Sequence, residues 1–277
     1  RASQETALEV RATGAHWAFT PNVDVARDPR WGRTGETFGE DPLLVSRMGV
    51  ATVKGLQGEQ ADKSEHVLAC AKHLVGGGQS VNGRNCAPFD ASERMLNEIF
   101  FPPFKACVEA GVYTLMAAHN ELNGIPCHGN KYLLTELLRD KWHFNGFVVS
   151  DWMDVERMHS QHCTAETMEE ASVMSVDAGI DMHMHGPGFM DHIIKAVKDG
   201  RISEERIHNA VRKILKAKFE LGLFENPYYD EEKSKAVLFN PTHQETALEL
   251  ARKSIVLLTN NGTLPLDENR YKNVLVV

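Results

Sequence analysis

The chain has 277 residues, of which 42% are hydrophobic and 25% are charged, and its formal net charge is −8 at pH 7 with a pI near 5.9. This composition is typical of a globular protein that buries a large core, and it excludes a disordered or fibrous chain. The acidic balance, without any basic run, argues against nucleic acid or an anionic membrane as a partner and favours a neutral substrate.

Neither the hydropathy pattern nor the cysteines indicate a membrane span or a metal framework. No stretch approaches the roughly eighteen apolar residues of a transmembrane helix, and no charged-then-apolar signal segment is visible, so the compartment stays open. The five cysteines are odd in number and include no C-x-x-C pair: Cys70, Cys86, Cys107, Cys127 and Cys163. We therefore expect no metal centre and no cofactor.

The two ends of the sequence predict an internal piece of a longer polypeptide. Residues 1–13 have helical spacing and stop at Gly14, but no residue precedes them to supply an N-cap. Asn273–Val277 is a strand-like apolar run without a partner strand. We expect further segments of the same polypeptide to pack against residues 1–277.

The first strand–helix unit places a charged loop after a strand. Trp17–Pro21 is predicted as the strand, and a helix follows through Leu43 and Val53. Between them, Asn22–Arg33 carries three arginines, two aspartates and a tryptophan, which is more charge than packing requires. Such arginines can bind sugar hydroxyls or a carboxylate, although Arg–Asp pairs often only brace a loop.

Val67–His73 is predicted as a second, buried strand that ends in two titratable side chains. Neighbouring strand residues point to opposite faces, so Lys72 and His73 can both face the loop edge only if the strand twists or breaks there. Lys72 is the less ordinary of the two, because a buried lysine needs a partner. The polar loop that follows contains Gly76–Gln79 and Arg84 but no phosphate-binding glycine motif.

Three further units repeat this alternation. The predicted strands are Tyr113–His119, Gly146–Asp151 and Gly179–His185. The predicted helices are Ser92–Gly111 with an interruption at Pro102–Pro103, one through Leu133–Leu138, and Ala165–Asp177. Such alternation indicates an α/β fold with a parallel sheet and helices outside it. About five units are present, fewer than the eight of a (β/α) barrel, so we place the missing strand or strands before Arg1.

Asp151 is the strongest catalytic candidate, because it follows a β-branched apolar run and stands beside an indole, Trp152. In α/β barrels the carboxyl ends of the strands build the active site, although Asp151 could instead only cap a helix that starts near Asp154. Polar groups end other strands too, and their convergence on one edge favours a functional site: Arg27, Lys72 with His73, His119 and Asp151.

Several motifs resemble, in chain order, those of the glycoside hydrolase family 3 β-glucosidases. They are Arg27–Arg33, Glu40–Pro42, Lys72–His73, Ser92–Arg94, Asn123–Gly124, Ser150–Trp152, Gly222–Pro227 and Ala251–Leu258. The resemblance implies that Asp151 is the catalytic nucleophile and that Trp152 flanks the aglycone subsite. It also implies that a set of polar side chains binds the sugar: Arg27, Lys72, His73, Arg84 and His119. His119 stands where many members have Tyr, and His183–His185 departs from an expected acidic strand end.

The resemblance further implies the domains and the mechanism. Residues 1–225 would form a TIM-like (β/α) barrel that lacks its N-terminal strand or strands, 226–245 a linker, and 246–277 the start of an α/β sandwich domain. That second domain would carry the acid/base glutamate, outside this chain. The expected protein is a retaining, exo-acting β-glucosidase that forms a covalent glycosyl-enzyme on Asp151, with Lys72 and Arg27 keeping this carboxylate ionised.

Other functions stay open from the sequence. Within the family these are β-xylosidase and β-N-acetylglucosaminidase, although Gly76–Ser80 lacks the histidine that the latter branch uses as acid/base. Outside it they are a Schiff-base lyase on Lys72, a metal hydrolase using His183 and His185, or a non-catalytic sugar-binding relative. The expected partner is a carbohydrate, with no nucleic acid and no membrane. The resemblance is compatible with a homodimer and with a periplasmic or secreted location.

Overall fold

The computed structural model describes residues 1–58, 66–267, 269–271 and 273–275. Their contacts divide the chain into two compact units, one of Arg1 with Ser3–Leu238 and the other of Ala2 with Phe239–Val277. None of the described helices is long and apolar enough to cross a bilayer. The predicted domain boundaries at 225 and 245 stay a prediction.

Strands and helices alternate through most of the first unit. The strands are β1 (Trp17–Ala18), β2 (Leu68–Leu74), β3 (Thr114–Ala117), β4 (Glu121–Leu122), β5 (Ile125–Pro126) and β6 (Phe147–Val149). The α-helices are α1 (Ala2–Ala12), α2 (Pro42–Gln57), α3 (Glu93–Met95), α4 (Phe101–Glu109), α5 (Asp154–Ser160), α6 (Met168–Ala178), α7 (Phe189–Lys198), α8 (Glu204–Glu220), α9 (Glu231–Val237) and, in the second unit, α10 (Pro241–Ser254). Two further segments are π-helical, Leu96–Phe100 and Tyr132–Lys141.

The central sheet is parallel and has the order β1-β2-β3-β6. Trp17 pairs with Leu68, and Leu115 pairs with Val148, which fixes the register. All residues of β3 and β6 are buried, as expected for apolar runs in a parallel sheet that is covered on both faces. β4 and β5 form a separate antiparallel pair after β3.

Strand β2 changes register between Ala71 and Leu74, and the peptide bonds Lys72–His73 and Leu74–Val75 are cis. The register shift confirms the break expected from two adjacent titratable side chains. Within this irregular segment, His73 lies next to Asp151, and the charge of Lys72 helps to lower the pKa of Glu36. Both side chains therefore serve the same edge of the sheet.

The sheet has fewer regular strand residues than the sequence predicts. The predicted strand Trp17–Pro21 is paired regularly only at β1, and the predicted strand Gly179–His185 is reduced to one bridge between Val149 and Met182. The cause of the second difference is Asp181, whose carboxylate accepts the Val148 amide at 3.0 Å and so competes with ladder pairing. The α/β fold with a parallel sheet is confirmed, whereas the strands of the described residues do not close into a barrel.

The helix that begins after Ser92 continues past Pro102–Pro103 instead of breaking there. The Ser92 hydroxyl caps α3 by accepting the Met95 amide, and the π-helical turn Leu96–Phe100 follows before α4. Proline has no amide hydrogen and clashes with the turn before it. Since both prolines lie in the first turn of α4, the wider π turn accommodates them, and the predicted interruption is a change of helix type.

The apolar core lies between the sheet and the helices, where α2 packs against α4 and β2. A cavity of about 490 Å³ opens at the amino ends of the strands, beside Val67, Tyr113 and Gly146. The polar residues that the sequence singles out lie at the opposite, carboxyl ends. The cavity and the predicted site residues therefore lie at opposite ends of the strands.

In the second unit, the Asn240 side chain caps α10 by accepting the Thr242 amide. Residues Asn273–Leu275 have no regular secondary structure, so the predicted strand Asn273–Val277 is not seen in its described part. Residues 276 and 277 lie outside the described residues. The predicted start of a sandwich domain stays a prediction.

We expect Gly146→Ala to lower the free energy of unfolding by about 1–3 kcal/mol, measured by urea denaturation. A methyl group on Gly146 would lie 1.9 Å from the carbonyl oxygen of Tyr113, which also accepts the Phe147 amide and cannot move without losing that bond. Gly35→Ala is the control, because its added methyl group meets nothing within 4 Å. Equal unfolding free energies for the two variants would contradict this account of the packing.

Candidate active site

Asp151 lies two residues beyond β6 and is only 8% exposed. Its amide donates to Nε2 of His128 at 2.9 Å, and its Oδ1 accepts the Trp152 amide at 2.6 Å. Helix α5 begins three residues later with Met153 at its N-cap, so the carboxylate of Asp151 does not cap that helix. The capping alternative is therefore wrong, and Oδ2 of Asp151 has no hydrogen-bond partner among the described residues.

Two histidines flank this unpartnered oxygen. Nε2 of His119 is 3.1 Å from Oδ2 of Asp151, and Nε2 of His73 is 3.5 Å from it. The two rings stack with their centroids 5.7 Å apart. These contacts are close enough for strong electrostatic interaction but do not have the direction of a hydrogen bond.

Each histidine is held from behind by a buried carboxylate. Nδ1 of His73 lies 2.8 Å from Asp24, and Nδ1 of His119 lies 2.6 Å from Asp154. An ionised carboxylate only accepts, so each ring donates from Nδ1 and turns Nε2 towards Asp151. The sequence missed Asp24 as a site residue, although Val23 and Val25 on either side of it give a period-two pattern that turns Asp24 away from its apolar neighbours.

The pKa shifts follow from these contacts. Burial alone raises the pKa of Asp154, but the hydrogen bond from His119, the nearby histidines and Arg157 outweigh it and lower that pKa to about 2. Burial likewise lowers the pKa of His119, but the bond to Asp154 and the charges of Asp154 and Asp151 raise it overall. Burial lowers the pKa of His128, which keeps its Nε2 free to accept the Asp151 amide.

Arg33 is the arginine of the first loop that contacts a histidine beside Asp151. Its Nη2 lies 3.1 Å from Nε2 of His73, and its guanidinium binds both oxygens of Glu36 at 2.7 and 2.8 Å. The hydrogen bond from Arg33 lowers the pKa of Glu36 to about 2; burial opposes this, and the charges of Arg33 and Lys72 add to it. Arg33 precedes the 3-10 turn Thr34–Glu36 and Glu36 ends it. The three-residue spacing of Arg33 and Glu36 was therefore the sequence signal for this ion pair.

The structure brings only some of the predicted sugar-binding residues together. His73 and His119 meet at Asp151, and Lys72 lies near Glu36. The side chains of Arg27 and Arg84 are exposed and form no hydrogen bond or ion pair within the described ranges. Their predicted role in binding sugar stays a prediction.

Trp152 lies at the rim of the site and is 54% exposed. One face of its indole stacks on His185, with the ring centroids 4.0 Å apart and the planes 12° from parallel. His183 instead stacks on Phe189 and lies 3.0 Å from Glu156. The two histidines thus have separate partners and do not form the pair of ligands that a metal hydrolase would use.

Residues 1–217 match the model of the glycosyl hydrolase family 3 N terminal domain. A β-xylosidase of Formosa agariphila is 42% identical over 99% of the chain, and a lysosomal β-glucosidase of Dictyostelium discoideum is 38% identical over 99% of it. The crystal structure of a β-glucosidase from Listeria innocua superposes with a TM-score of 0.92 at 35% identity, over 96% of this chain and 37% of that one. The chain spans 40% and 35% of the lengths of the first two relatives.

We expect Asp154→Asn to lower the pKa of His119, measured by NMR titration of the imidazole. The substitution removes the charge that opposes the effect of burial on this ring. Asp177→Asn is the control, because Asp177 pairs with the exposed Lys131 outside the site. An unchanged titration of His119 in Asp154→Asn would show that the carboxylate does not hold this proton.

Proposed function

Because the chain belongs to glycoside hydrolase family 3, we propose that it supplies the nucleophile, Asp151, of a retaining, exo-acting β-glycosidase. The observation that carries this proposal is the buried carboxylate of Asp151, with one unpartnered oxygen between two histidines and an exposed indole beside it. We also propose that the parallel sheet is part of a (β/α) barrel, since its polar groups gather at the carboxyl ends of the strands.

In the proposed reaction Asp151 attacks the anomeric carbon and forms a glycosyl ester, while an acid protonates the departing glycosidic oxygen. Water then cleaves the ester, and the group that gave its proton to the leaving oxygen now takes a proton from this water as a base. Arg33 and a protonated His119 favour the ionised form of Asp151 by their positive charge. The open face of Trp152 suits stacking against a sugar ring.

The carboxylates around Asp151 are poorly suited to act as the general acid, which supports an acid/base residue outside this cluster. A general acid needs a raised pKa, whereas the pKa values of Asp154 and Glu36 are both lowered to about 2. Asp24 is bound to His73, and Glu121 lies 2.7 Å from Nδ1 of His162. We therefore propose that the acid/base glutamate does not come from these residues.

Glucosides are the proposed substrate class, and β-xylosides are the second candidate because the relative at 42% identity is named a β-xylosidase. Assay of the enzyme on aryl β-glucoside, β-xyloside and N-acetyl-β-glucosaminide separates the candidates. The highest kcat/KM on the glucoside supports the proposal, and the highest value on the xyloside replaces it with the second candidate. Loss of all hydrolysis, with sugar binding retained, would indicate the non-catalytic alternative.

We expect Asp151→Asn to lower kcat by roughly 10⁴-fold or more, because the amide cannot form the glycosyl ester. The fold should remain, since the amide keeps the shape of the side chain and can still accept the Trp152 amide. Circular dichroism and sugar-binding calorimetry check this point. Asp28→Asn is the control, because Asp28 pairs with Arg30 on the exposed loop, and near-normal activity of Asp151→Asn would rule out this nucleophile.

We expect His119→Gln to move the acidic limb of the kcat/KM profile to higher pH. His119 has a raised pKa and is therefore protonated across that limb, where its charge favours ionised Asp151. Lys72→Ala is the matched comparison and should move the limb less, since His119 lies 3.1 Å from Asp151, whereas Lys72 forms no ion pair or hydrogen bond with Asp151 among the described residues. A larger movement in Lys72→Ala would reverse the assignment.

A further inference from the structure

Three atoms that can bind a metal ion meet at the centre of the candidate active site. They belong to His73, His119 and Asp151, and all three lie within 4.8 Å of one another. Oδ2 of Asp151 is itself buried and has no hydrogen-bond partner among the described residues. A negatively charged oxygen is thus held between two imidazole nitrogens without a directed donor.

The arrangement behind the histidines fixes which nitrogen faces Asp151. Nδ1 of His73 is bound by Asp24, and Nδ1 of His119 is bound by Asp154. In its neutral form, with the proton on Nδ1, each ring presents the lone pair of Nε2 to Asp151. Histidine ligands of metal ions are oriented in this way, by a carboxylate on the far nitrogen.

We propose that His73, His119 and Asp151 form a binding site for Zn²⁺, with a fourth position open to water. Two imidazoles and one carboxylate are a known ligand set for an open zinc site. Tetrahedral bonds of about 2.0–2.2 Å separate the ligand atoms by roughly 3.3–3.6 Å. The observed distances from Oδ2 of Asp151, 3.1 Å to His119 and 3.5 Å to His73, are close to that separation.

Arg33 is the group that a bound ion displaces. Its Nη2 lies 3.1 Å from Nε2 of His73 and donates to the lone pair that the ion would use. Two stronger contacts hold the same guanidinium on Glu36. Arg33 therefore stays paired when it gives up His73, and the site can accept an ion without leaving a cation unpaired.

A second set of ligand atoms, from Cys86, His119 and Asp154, also lies within 4.8 Å of one another. Its charge is already neutralised, because Arg157 binds Asp154 and lies 3.4 Å from Nδ1 of His119. Both oxygens of Asp154 thus already have donors, from His119 and Arg157, whereas Oδ2 of Asp151 has none among the described residues. The Asp151 cluster is therefore the favoured site.

On the proposed function, Zn²⁺ at this site inhibits hydrolysis. An ion bound to the Asp151 carboxylate takes the electron pair that would attack the sugar, so metal and glycoside compete for the free enzyme. Binding exchanges water on the ion for protein ligands and breaks no covalent bond. Zn²⁺ would thus be an inhibitory ligand of the same carboxylate that the proposed reaction uses.

The test uses Co²⁺ as a spectroscopic probe of the enzyme at mildly alkaline pH, followed by displacement with Zn²⁺. We expect one equivalent of Co²⁺ to bind with the visible absorption of a tetrahedral site and to be displaced by Zn²⁺. Asp151→Asn and His119→Gln should weaken Co²⁺ binding by at least about tenfold, with unchanged circular dichroism. His208→Gln removes an exposed histidine of α8 and is the matched control, with unchanged affinity.

Lack of the tetrahedral absorption, or full affinity in Asp151→Asn, would overturn the site. Inhibition is read separately, as an increase of the apparent KM for an aryl β-glycoside with added Zn²⁺. Hydrolysis at the full rate with the site occupied would overturn the inhibitory role. An enzyme that binds Co²⁺ through these residues but cleaves no glycoside would contradict the proposed function and leave the metal site standing.

Discussion

The burial of the Asp151 carboxylate is the constraint on which the rest of this site depends. A buried charge costs several kcal/mol unless neighbouring groups compensate it. The Trp152 amide satisfies one oxygen within the same turn, and His73 and His119 face the other. Those rings point correctly only because Asp24 and Asp154 hold their far nitrogens. The orientation of the central carboxylate therefore requires two further buried carboxylates.

The parallel sheet makes this clustering possible. Asp151 and His119 each come two residues after a strand, β6 and β3, whose carboxyl ends lie at the same edge. His73 lies within β2 and reaches the edge through the register shift. Asp24 comes from the loop after β1. The pairing of neighbouring parallel strands thus brings residues that are far apart in sequence together at one edge of the sheet.

The sequence predicted the parts of the site that depend on strand ends, namely Asp151, His73 and His119. It did not predict that Arg33 is the arginine of the first loop that contacts His73. Arg27 and Arg33 have the same charge and lie in one loop, and only the local turn that pairs Arg33 with Glu36 directs it to His73. Strand lengths also escaped prediction, because side chains such as Asp181 replace backbone partners in the ladder. Both the contact of Arg33 and the length of the strands depend on side-chain hydrogen bonds, which hydrophobic periodicity does not record.

Asp181 shows by contrast what distinguishes Asp151. Its side chain is fully buried, but Arg139, Arg206 and Lys213 all bind it, and it also accepts the Val148 amide. Burial of Lys213 lowers its pKa to about 8, with Asp181 opposing and the two arginines adding to that effect. Each oxygen of the Asp181 carboxylate thus accepts two hydrogen bonds, which fix the segment after α6 beside β6. Oδ2 of Asp151 has no such commitment, and a carboxylate oxygen kept unpaired inside a fold is available to a ligand.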